Sequence, residues 1–314
     1  MPYNNVINRT DAAGTIPVEY SNELIGQVAE TSYCMRLGRR LRDMPAYQRV
    51  MPVISALATA YFVGTAADTG LVQSSEVNWT DINLYAEDLA VLVPVPTNVL
   101  DDSSIPIWSE VRPELVTALG VAIDNAVLYG TNKPTTWPDS IITDCDTASH
   151  NVSLAAADDL YDAILGDDNM FSLVEQDGYM VTGAIGHPQM RGLLRNCRDS
   201  NGNPIFNKDP ATPMQWMLDG SPLYFPTNGV PTTTYKLIAG DWSQLVYAMR
   251  QDIDFEVYSE GIIQDAAGNI VYNLMQQRMA AIMVVIRVGF QLPNPINRVN
   301  TTAATRYPFA YLTT

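Results

Sequence analysis

The sequence has little charge, little cysteine and almost no histidine for its length. Charged residues make up 17% of the 314 residues, against about 25% in ordinary globular proteins. The three cysteines, Cys34, Cys145 and Cys197, are widely spaced and form no C-x-x-C pair, so the sequence predicts neither a Cys-rich zinc site nor a disulfide framework. We expect them to stay reduced. The two histidines, His150 and His187, stand in no metal-ligand or triad-like pattern.

Long apolar runs and targeting signals are also lacking. The most apolar run, residues 279–286, is eight residues long, whereas a membrane helix needs about 20. The first residues, MPYNNVINRTD, show no basic stretch followed by an apolar one, so we expect no signal peptide. These absences predict a soluble protein.

Common catalytic and ligand-binding motifs are absent as well. The chain contains no G-x-S-x-G, G-x-x-x-x-G-K-[ST] or G-x-G-x-x-G sequence. Asp199 begins a calcium-loop pattern, but Pro204 and Pro210 stand where that loop needs Gly and Glu, so we expect a turn. His187 precedes a proline, as at a helix entry, and adjacent carboxylates such as Asp101-Asp102 are typical of helix caps. We therefore predict no catalytic residue, no metal site and no cofactor.

Acidic charge is concentrated in one part of the chain. Of the net charge of −16, residues 51–182 hold −18, with 20 acidic residues against two basic ones. Residues 1–50 and 183–314 each carry a net charge of +1. The 47% hydrophobic content is high for so few charges, which predicts large interfaces between subunits.

Hydrophobic patterns predict an α+β fold. Residues 50–88 alternate short β-like runs with turn residues and indicate a long hairpin. Residues 89–95 form a continuous apolar run, typical of a strand buried on both faces. Apolar residues then recur at spacings of three and four and predict a long helix over 105–130, closed by Gly130.

The second half of the chain predicts short elements. Two short acidic helices lie on either side of Gly166, residues 179–185 form a strand, and His187-Pro188 opens a helix that runs to Cys197. Residues 252–257 predict a half-buried strand and residues 280–292 a long apolar one. Near the N-terminus, residues 1–21 indicate an extended arm and residues 24–29 a short helix.

The order of these pieces resembles the major capsid proteins of tailed phages, the family with the Hong Kong 97-type capsid fold. The resemblance covers residues 16–312. It is carried by 93–102 (VPVPTNVLDD), 128–131 (LYGT), 187–191 (HPQMR), 199–206 (DSNGNPIF), 219–223 (DGSPL) and 239–242 (AGDW). Each fragment is weak alone, and their collinear order carries the resemblance.

The resemblance implies four regions. These are an N-terminal arm (1–49), an extended hairpin or E-loop (50–88), a peripheral domain with a long spine helix (89–134 and 241–314) and an axial domain (135–240). Such proteins form hexamers and pentamers of an icosahedral shell that encloses double-stranded DNA. The implied partners are further copies of the chain, a scaffold, a portal and decoration proteins, with DNA held by non-specific proximity and no membrane. The implied location is the virion, after assembly in the bacterial host cytoplasm.

Two departures from the family limit the resemblance. Some members join their subunits by an isopeptide bond between a hairpin Lys and an Asn, helped by a buried Glu. Here the lysines are Lys133, Lys208 and Lys236, none in the hairpin, and Gln276-Gln277 align with the Glu. We expect no such crosslink. Some members also carry an N-terminal scaffolding segment, and this chain starts almost at the arm, so the scaffold is separate, was removed or is not needed.

Seven residues are candidates for the assembly interface. In the hairpin, Tyr61, Phe62 and Trp79 are the expected apolar anchors, because aromatic residues contribute a large share of interface energy. The basic residues Arg36, Arg39, Arg40 and Arg42 are expected to form ion pairs with the acidic stretch of a neighbour. Direct contact with DNA phosphates is the alternative, although no aromatic residue lies among these arginines in sequence.

Two other functions stay open at this point. An encapsulin-type compartment has the same fold and packages an enzyme in place of DNA, and fold alone does not separate the two. A soluble hydrolase would use paired carboxylates from the acidic stretch, and these would have to lie in a cleft with raised pKa values.

Overall fold

The computed structural model describes residues 32–63, 74–103, 107–155, 159–198, 201–203, 205 and 216–314. The helical pattern at residues 24–29 and the start of the turn at 199–203 lie outside these ranges. Helices in the described ranges are α1 (Tyr33–Leu37), α2 (Thr97–Asp102), α3 (Ile107–Tyr129), α4 (Ile141–Ala148), α5 (Leu160–Leu165), α6 (Met170–Gln176) and α7 (Met190–Asn196). The strands are β1 (Arg39–Arg40), β2 (Gln48–Ala56), β3 (Asn78–Tyr85), β4 (Glu87–Pro96), β5 (Asn151–Ser153), β6 (Gly183–Gly186), β7 (Trp216–Leu218), β8 (Ser221–Tyr224), β9 (Tyr235–Gly240), β10 (Val246–Tyr258), β11 (Ile262–Gln264), β12 (Ile270–Asn273), β13 (Met279–Gln291) and β14 (Phe309–Thr313).

The long helix α3 lies where the sequence predicts it. It ends at Tyr129. The next residue, Gly130, has a φ of 72°, the left-handed conformation typical of the residue after a helix. The helix continues through Pro113, and the Thr117 hydroxyl donates to the Pro113 carbonyl at 3.1 Å. None of the helices in the described ranges has the length and apolar content that crossing a membrane requires.

The two halves of α3 pack into different cores. In the first half, Leu115 and Leu119 pack against strand β13 of a four-stranded sheet. In the second half, Ile123, Val127 and Leu128 join a core that includes α4 and residues of a six-stranded sheet. The helix therefore connects the four-stranded sheet with the six-stranded sheet.

The four-stranded sheet has the order β1-β10-β13-β4. Strand β13 confirms the strand predicted over 280–292, whereas β10 begins six residues before the predicted 252–257. The extra part is fully apolar and buried from Val246 to Met249, so it shows no alternation that the sequence pattern could detect. Beyond β10, the structure has a hairpin of the two strands β11 and β12, joined by residues 265–269.

Strand β4 is not buried on both faces, so that prediction is wrong. It lies at the edge of the sheet, with Leu89, Val91 and Val93 half-buried toward α3 and Ala90 and Leu92 exposed. The run is continuously apolar in sequence, but within the described subunit only one face is covered.

The six-stranded sheet has the order β5-β14-β9-β6-β8-β7. Helices α5, α6 and α7 share one core with it, and the two short acidic helices and the His187 helix are confirmed. Strand β14 pairs with β9 and β5 in this sheet, although residues 241–314 were expected as part of the other domain. The pairing buries Phe309, Ala310 and Leu312 completely, which accounts for the return of the chain to this sheet.

Residues 32–44, which belong to the region expected as the N-terminal arm, are held by the subunit. Strand β1 pairs in parallel with β10, and Cys34 and Met44 are buried. The carboxylate of Asp124 on α3 is fully buried and accepts from the Ser32 hydroxyl at 2.5 Å and from the backbone N–H of Tyr33 and Cys34 at 3.0 Å. These bonds tie the start of the described chain to α3.

Candidate assembly surface

The hairpin of β2 and β3 presents an exposed apolar face. Antiparallel pairing places Ile54 opposite Trp79 and Val50 opposite Asn83, and directly opposed residues share a face. Trp79 is 65% exposed, and Val50 and Ile54 are also exposed. A two-stranded ribbon is marginal in water without further packing. This face therefore suits burial against another molecule.

The connection beyond β2 adds a second apolar group. Phe62 is 98% exposed, and Tyr61 and Val63 on either side are each 42% exposed. Residues 64–73 of the connection lie outside the described ranges. The aromatic residues predicted as anchors, Tyr61, Phe62 and Trp79, are thus exposed within the described part of the subunit.

The base of the hairpin is fixed to the subunit. Met44, Leu84, Ala86 and Ala248 form a small buried core there. Further along, residues near the C-terminus contact the hairpin backbone: Ile296 N–H donates to the Ile54 carbonyl at 3.5 Å, and the Arg298 guanidinium donates to the Ala58 carbonyl at 2.9 Å. The apolar face is therefore presented from an anchored base.

The predicted arginine cluster does not act as one unit. Arg40 pairs with Asp43 at 2.9 Å, and this carboxylate raises the pKa of the guanidinium. Arg39 and Arg40 form β1, and Arg42 is exposed, with its carbonyl accepting from Arg49 at 2.7 Å. Within the described subunit, Arg40 thus meets an acidic residue of its own segment. The expected pairing with the acidic stretch of a neighbour is left as a prediction.

Arg36 lies apart from the other three, next to aromatic rings. Its guanidinium carbon is 4.9 Å from the ring centroid of Tyr224 and 5.8 Å from that of Tyr33. Tyr224 is the last residue of β8 and reaches Arg36 only through the fold. No local signal indicates this contact.

A second exposed apolar surface is not predicted by the sequence. It comprises the end of β10 and the β11–β12 hairpin, where Val257, Ile262, Ile270 and Met275 are all more than half exposed. A short strand of alternating apolar residues gives the same pattern whether its apolar face meets its own subunit or another molecule.

The two histidines are the side chains most suited to catalysis, and both make hydrogen bonds or ion pairs that hold the fold together. His150 is buried, with Nδ1 2.9 Å from the Phe309 carbonyl and Nε2 3.2 Å from the Asp177 carboxylate. His187 Nδ1 accepts from the Gln189 N–H at 3.2 Å, as at a helix entry, and burial together with Lys236 lowers its pKa. Within the described ranges, no three His, Cys, Asp or Glu side chains are grouped as a metal site requires.

An anchored hairpin with an exposed apolar face, on a subunit that has packed cores of its own, suits a protein that assembles with other copies or partners. Comparison with known proteins agrees. A family model described as the Phage capsid family matches residues 12–297. The major capsid protein of Staphylococcus phage 80alpha is 23% identical over 296 residues, which cover 92% of this chain and 85% of that protein.

Solved structures give the same result. A chain from Microbacterium phage Oxtober96 is 31% identical with a TM-score of 0.83, covering 98% of this chain and 99% of that one. A chain from Mycobacterium phage Bobi is 26% identical with a TM-score of 0.81 and the same coverage.

The chain therefore belongs to the Phage capsid family and has the role of a phage major capsid protein. Proteins of this kind are structural and not enzymes, which removes the alternative of a soluble hydrolase. They self-assemble into shells, and the chain is a component of the virion capsid. The resemblance to Hong Kong 97-type capsid proteins and the α+β fold are confirmed.

Proposed function

We propose that the chain forms hexamers and pentamers that close into an icosahedral shell around double-stranded DNA. The observation that carries this proposal is the exposed apolar face of the β2–β3 hairpin, which the subunit leaves uncovered. In this proposal residues 50–88 act as the E-loop, residues 89–134 and 241–314 as the peripheral domain and residues 135–240 as the axial domain, with β14 crossing to the axial sheet.

The partners follow from the same proposal. Further copies of the chain bury the hairpin, while a scaffold, a portal and decoration proteins complete the particle. Assembly takes place in the cytoplasm of the bacterial host. The acidic stretch 51–182 faces the inside, where its charge of −18 keeps the shell from adhering to DNA phosphates.

Electron microscopy of the purified chain, alone and co-expressed with the proteins encoded beside its gene, tests the shell. We expect closed particles of uniform size that contain DNA when the packaging proteins are present. A homogeneous monomer under every one of these conditions would contradict the proposal. Particles that hold one co-purifying enzyme and no DNA would support a compartment instead.

Substitution of the hairpin aromatics tests which surface drives assembly. We expect Trp79→Ala and Phe62→Ala each to lower particle yield at least tenfold, because each removes an exposed aromatic anchor. The control is Met180→Ala. This side chain is 72% exposed and lies just before strand β6 of the six-stranded sheet, away from the hairpin in sequence. Equal yields for all three variants would show that the hairpin is not the driving surface.

The arginine pair of β1 gives a second test. Arg39→Glu combined with Arg40→Glu is expected to weaken assembly, more at low salt than at high salt, because screening already reduces ion pairing at high salt. Normal particles at both salt concentrations would exclude these two residues from the interface.

A further inference from the structure

The connection between β13 and β14, residues 292–308, belongs to no helix or strand. It leaves the four-stranded sheet and enters the six-stranded one. On its way it makes hydrogen bonds to the end of α6 and to the β2–β3 hairpin. We name residues 294–300 of this connection the strap. The backbone of an irregular segment needs partners outside regular secondary structure, and these partners fix the shape of the strap.

The first anchor of the strap is Asp177, which follows α6 and is 5% exposed. Its carboxylate accepts from the Asn300 side chain at 2.7 Å and from the Tyr307 N–H at 2.6 Å. Its carbonyl accepts from the Asn297 side chain at 2.6 Å. His150 Nε2 lies 3.2 Å from the same carboxylate. One buried residue therefore joins the end of α6, the strap and the residues before β14.

The second anchor is Arg306, which is 3% exposed. Its guanidinium donates to the carbonyls of Asn294 and Asn300 at 3.0 and 2.9 Å, and to the Asn294 side chain at 3.1 Å. The Asn294 side chain donates in turn to the Arg306 carbonyl at 2.7 Å, and it accepts from the Tyr179 hydroxyl at 2.9 Å. Both ends of the strap are thus tied to one arginine. Hydrogen bonds in such a buried network make the segment rigid.

The strap meets the hairpin where the β2–β3 ladder is irregular. The pairing register shifts between Ile54 and Ala56, and a shift of this kind leaves a residue unpaired. Here the Ile296 N–H of the strap donates to the Ile54 carbonyl at 3.5 Å. Just beyond, the Arg298 guanidinium donates to the Ala58 carbonyl at 2.9 Å. The small buried core of the hairpin lies at its base, so these bonds hold the part of the ribbon away from that core.

We propose that the strap holds the hairpin in one orientation before assembly, with Arg298 as the positioning residue. Buried groups fix the strap on the α6 side, and on the other side it bonds to the backbone of a ribbon that is marginal by itself. A binding surface that is already held in place loses less conformational entropy when it binds. The inference rests on the proposed function, because the hairpin is held ready for contact with another copy.

Hydrogen exchange of the unassembled subunit tests the hold on the hairpin. We expect Arg298→Ala to speed amide exchange in β2 and β3 about tenfold or more, with less than about a twofold change in α3, because the opening is local. Arg298→Lys keeps a donor at this position and should exchange at most about threefold faster than the unaltered protein. The control is Arg250→Ala, an exposed arginine of β10, which should leave exchange in the hairpin unchanged.

The anchor on the α6 side provides an independent variant. Asn300→Ala removes a bond to Asp177, and the side chain of Asn300 makes its hydrogen bonds to Asp177 and Thr305 and not to the hairpin. We nevertheless expect exchange in β2 and β3 to rise about threefold or more, because the strap acts as one unit. The matched control is Asn196→Ala, an exposed asparagine at the end of α7, which should have no effect on the hairpin.

The assembly threshold of the same variants tests the positioning role. We expect Arg298→Ala to raise the lowest protein concentration at which particles form about fivefold or more, because the free hairpin loses more entropy on binding. The midpoint temperature of unfolding of the unassembled subunit should stay within about 1 °C, since Arg298 is exposed. Light scattering over a concentration series measures the threshold.

Several results would overturn the role of the strap. These are unchanged hairpin exchange in Arg298→Ala or in Asn300→Ala, faster exchange with an unchanged assembly threshold, and an Arg298→Lys variant that exchanges as fast as Arg298→Ala. Failure of the proposed function is distinguishable. If the unaltered protein forms rings or open sheets and never a closed shell, the shell is contradicted, and the threshold for those assemblies still tests the strap. Unaltered protein that stays monomeric at every concentration contradicts both.

Discussion

The β2–β3 hairpin and the six-stranded sheet contain similar apolar residues, but the sheet buries them and the hairpin leaves them exposed. In the sheet, Leu237 and Ile238 are completely buried because cores cover both of its faces. In the hairpin, Val50, Ile54 and Trp79 remain exposed because no element of the described ranges covers that face. Apolar burial in the sheet stabilises the subunit, whereas the same kind of residue in the hairpin is available for stabilising the assembly.

The largest expected effect is on the packed side of this comparison. Trp242 is 1% exposed, donates from Nε1 to the Gly183 carbonyl at 2.9 Å and packs edge-on against Phe309. We expect Trp242→Ala to lower the free energy of unfolding of the subunit by about 4 kcal/mol, through lost burial and the cavity left behind. Urea unfolding followed by circular dichroism measures it. A loss below 1 kcal/mol would mean that the sheet is not the source of subunit stability.

A smaller loss is expected at the joint between α3 and the N-terminal segment. Asp124→Ala leaves the Ser32 hydroxyl and the N–H groups of Tyr33 and Cys34 without their buried acceptor, at a cost of about 3 kcal/mol. The matched control is Asp81→Ala on the exposed hairpin strand, where we expect almost no change. Unfolding curves and limited proteolysis near residue 32 report the effect. Equal results for the two aspartates would show that the buried bonds do not hold the segment.

A stabilising change is expected on α4. Burial, and after it the charge of Asp139, raises the pKa of Asp144 to about 6. A carboxyl with a raised pKa in the folded state destabilises the fold above that pKa and has no such effect below its unfolded pKa. We expect Asp144→Asn to raise the free energy of unfolding by about 1 kcal/mol at pH 8, a figure reduced for the part of the side chain still in water.

The pH dependence checks this assignment. The gain from Asp144→Asn should shrink as the pH falls through 6 and vanish below about pH 4, where the carboxyl is protonated in both states. Asp81→Asn in the hairpin should give a flat difference across the same range. A gain at Asp144 that does not depend on pH would exclude its charge as the cause.

The smallest effect on the subunit is expected in the hairpin. Trp79→Ala should change the free energy of unfolding of the unassembled subunit by less than about 0.5 kcal/mol, because surface substitutions rarely do more. The same variant is expected to lose assembly, so the two measurements separate the roles of the hairpin and the sheet. If Trp79→Ala lowered the free energy of unfolding of the subunit by about 2 kcal/mol or more, the hairpin would stabilise the subunit as the sheet does.

The sequence predicts elements whose signal is local and fails where the signal depends on distant contacts. Helix α3 and strand β13 are predicted almost to the residue, because spacing and apolar runs are written into each segment. The pairing of β14 with β5 and the burial of Asp124 have no local signal. Both arise when chain segments at least 90 residues apart meet.

The sequence likewise predicts only part of the candidate assembly surface. The alternation of residues 50–88 predicts a hairpin with aromatic side chains, and Tyr61, Phe62 and Trp79 are exposed in the structure. Their role as interface anchors stays a prediction. The aromatic partners of Arg36 and Arg191 do not follow, because they lie at the end of β8 and reach the arginines only through the fold. The error at β4 has a related cause: an apolar run does not show which of its faces its own subunit covers.

The long helix has a mechanical consequence. Its first half is locked into the four-stranded sheet by Leu115 and Leu119, and its second half into the other core by Ile123 and Val127. A helix held at both ends restricts movement of the four-stranded sheet relative to the six-stranded sheet. Shells with pentamers and hexamers require a subunit to meet its neighbours at more than one angle. In the proposed shell we expect that adjustment at the exposed part of the β2–β3 hairpin and not at residues 32–44, which are tied to α3 and β10.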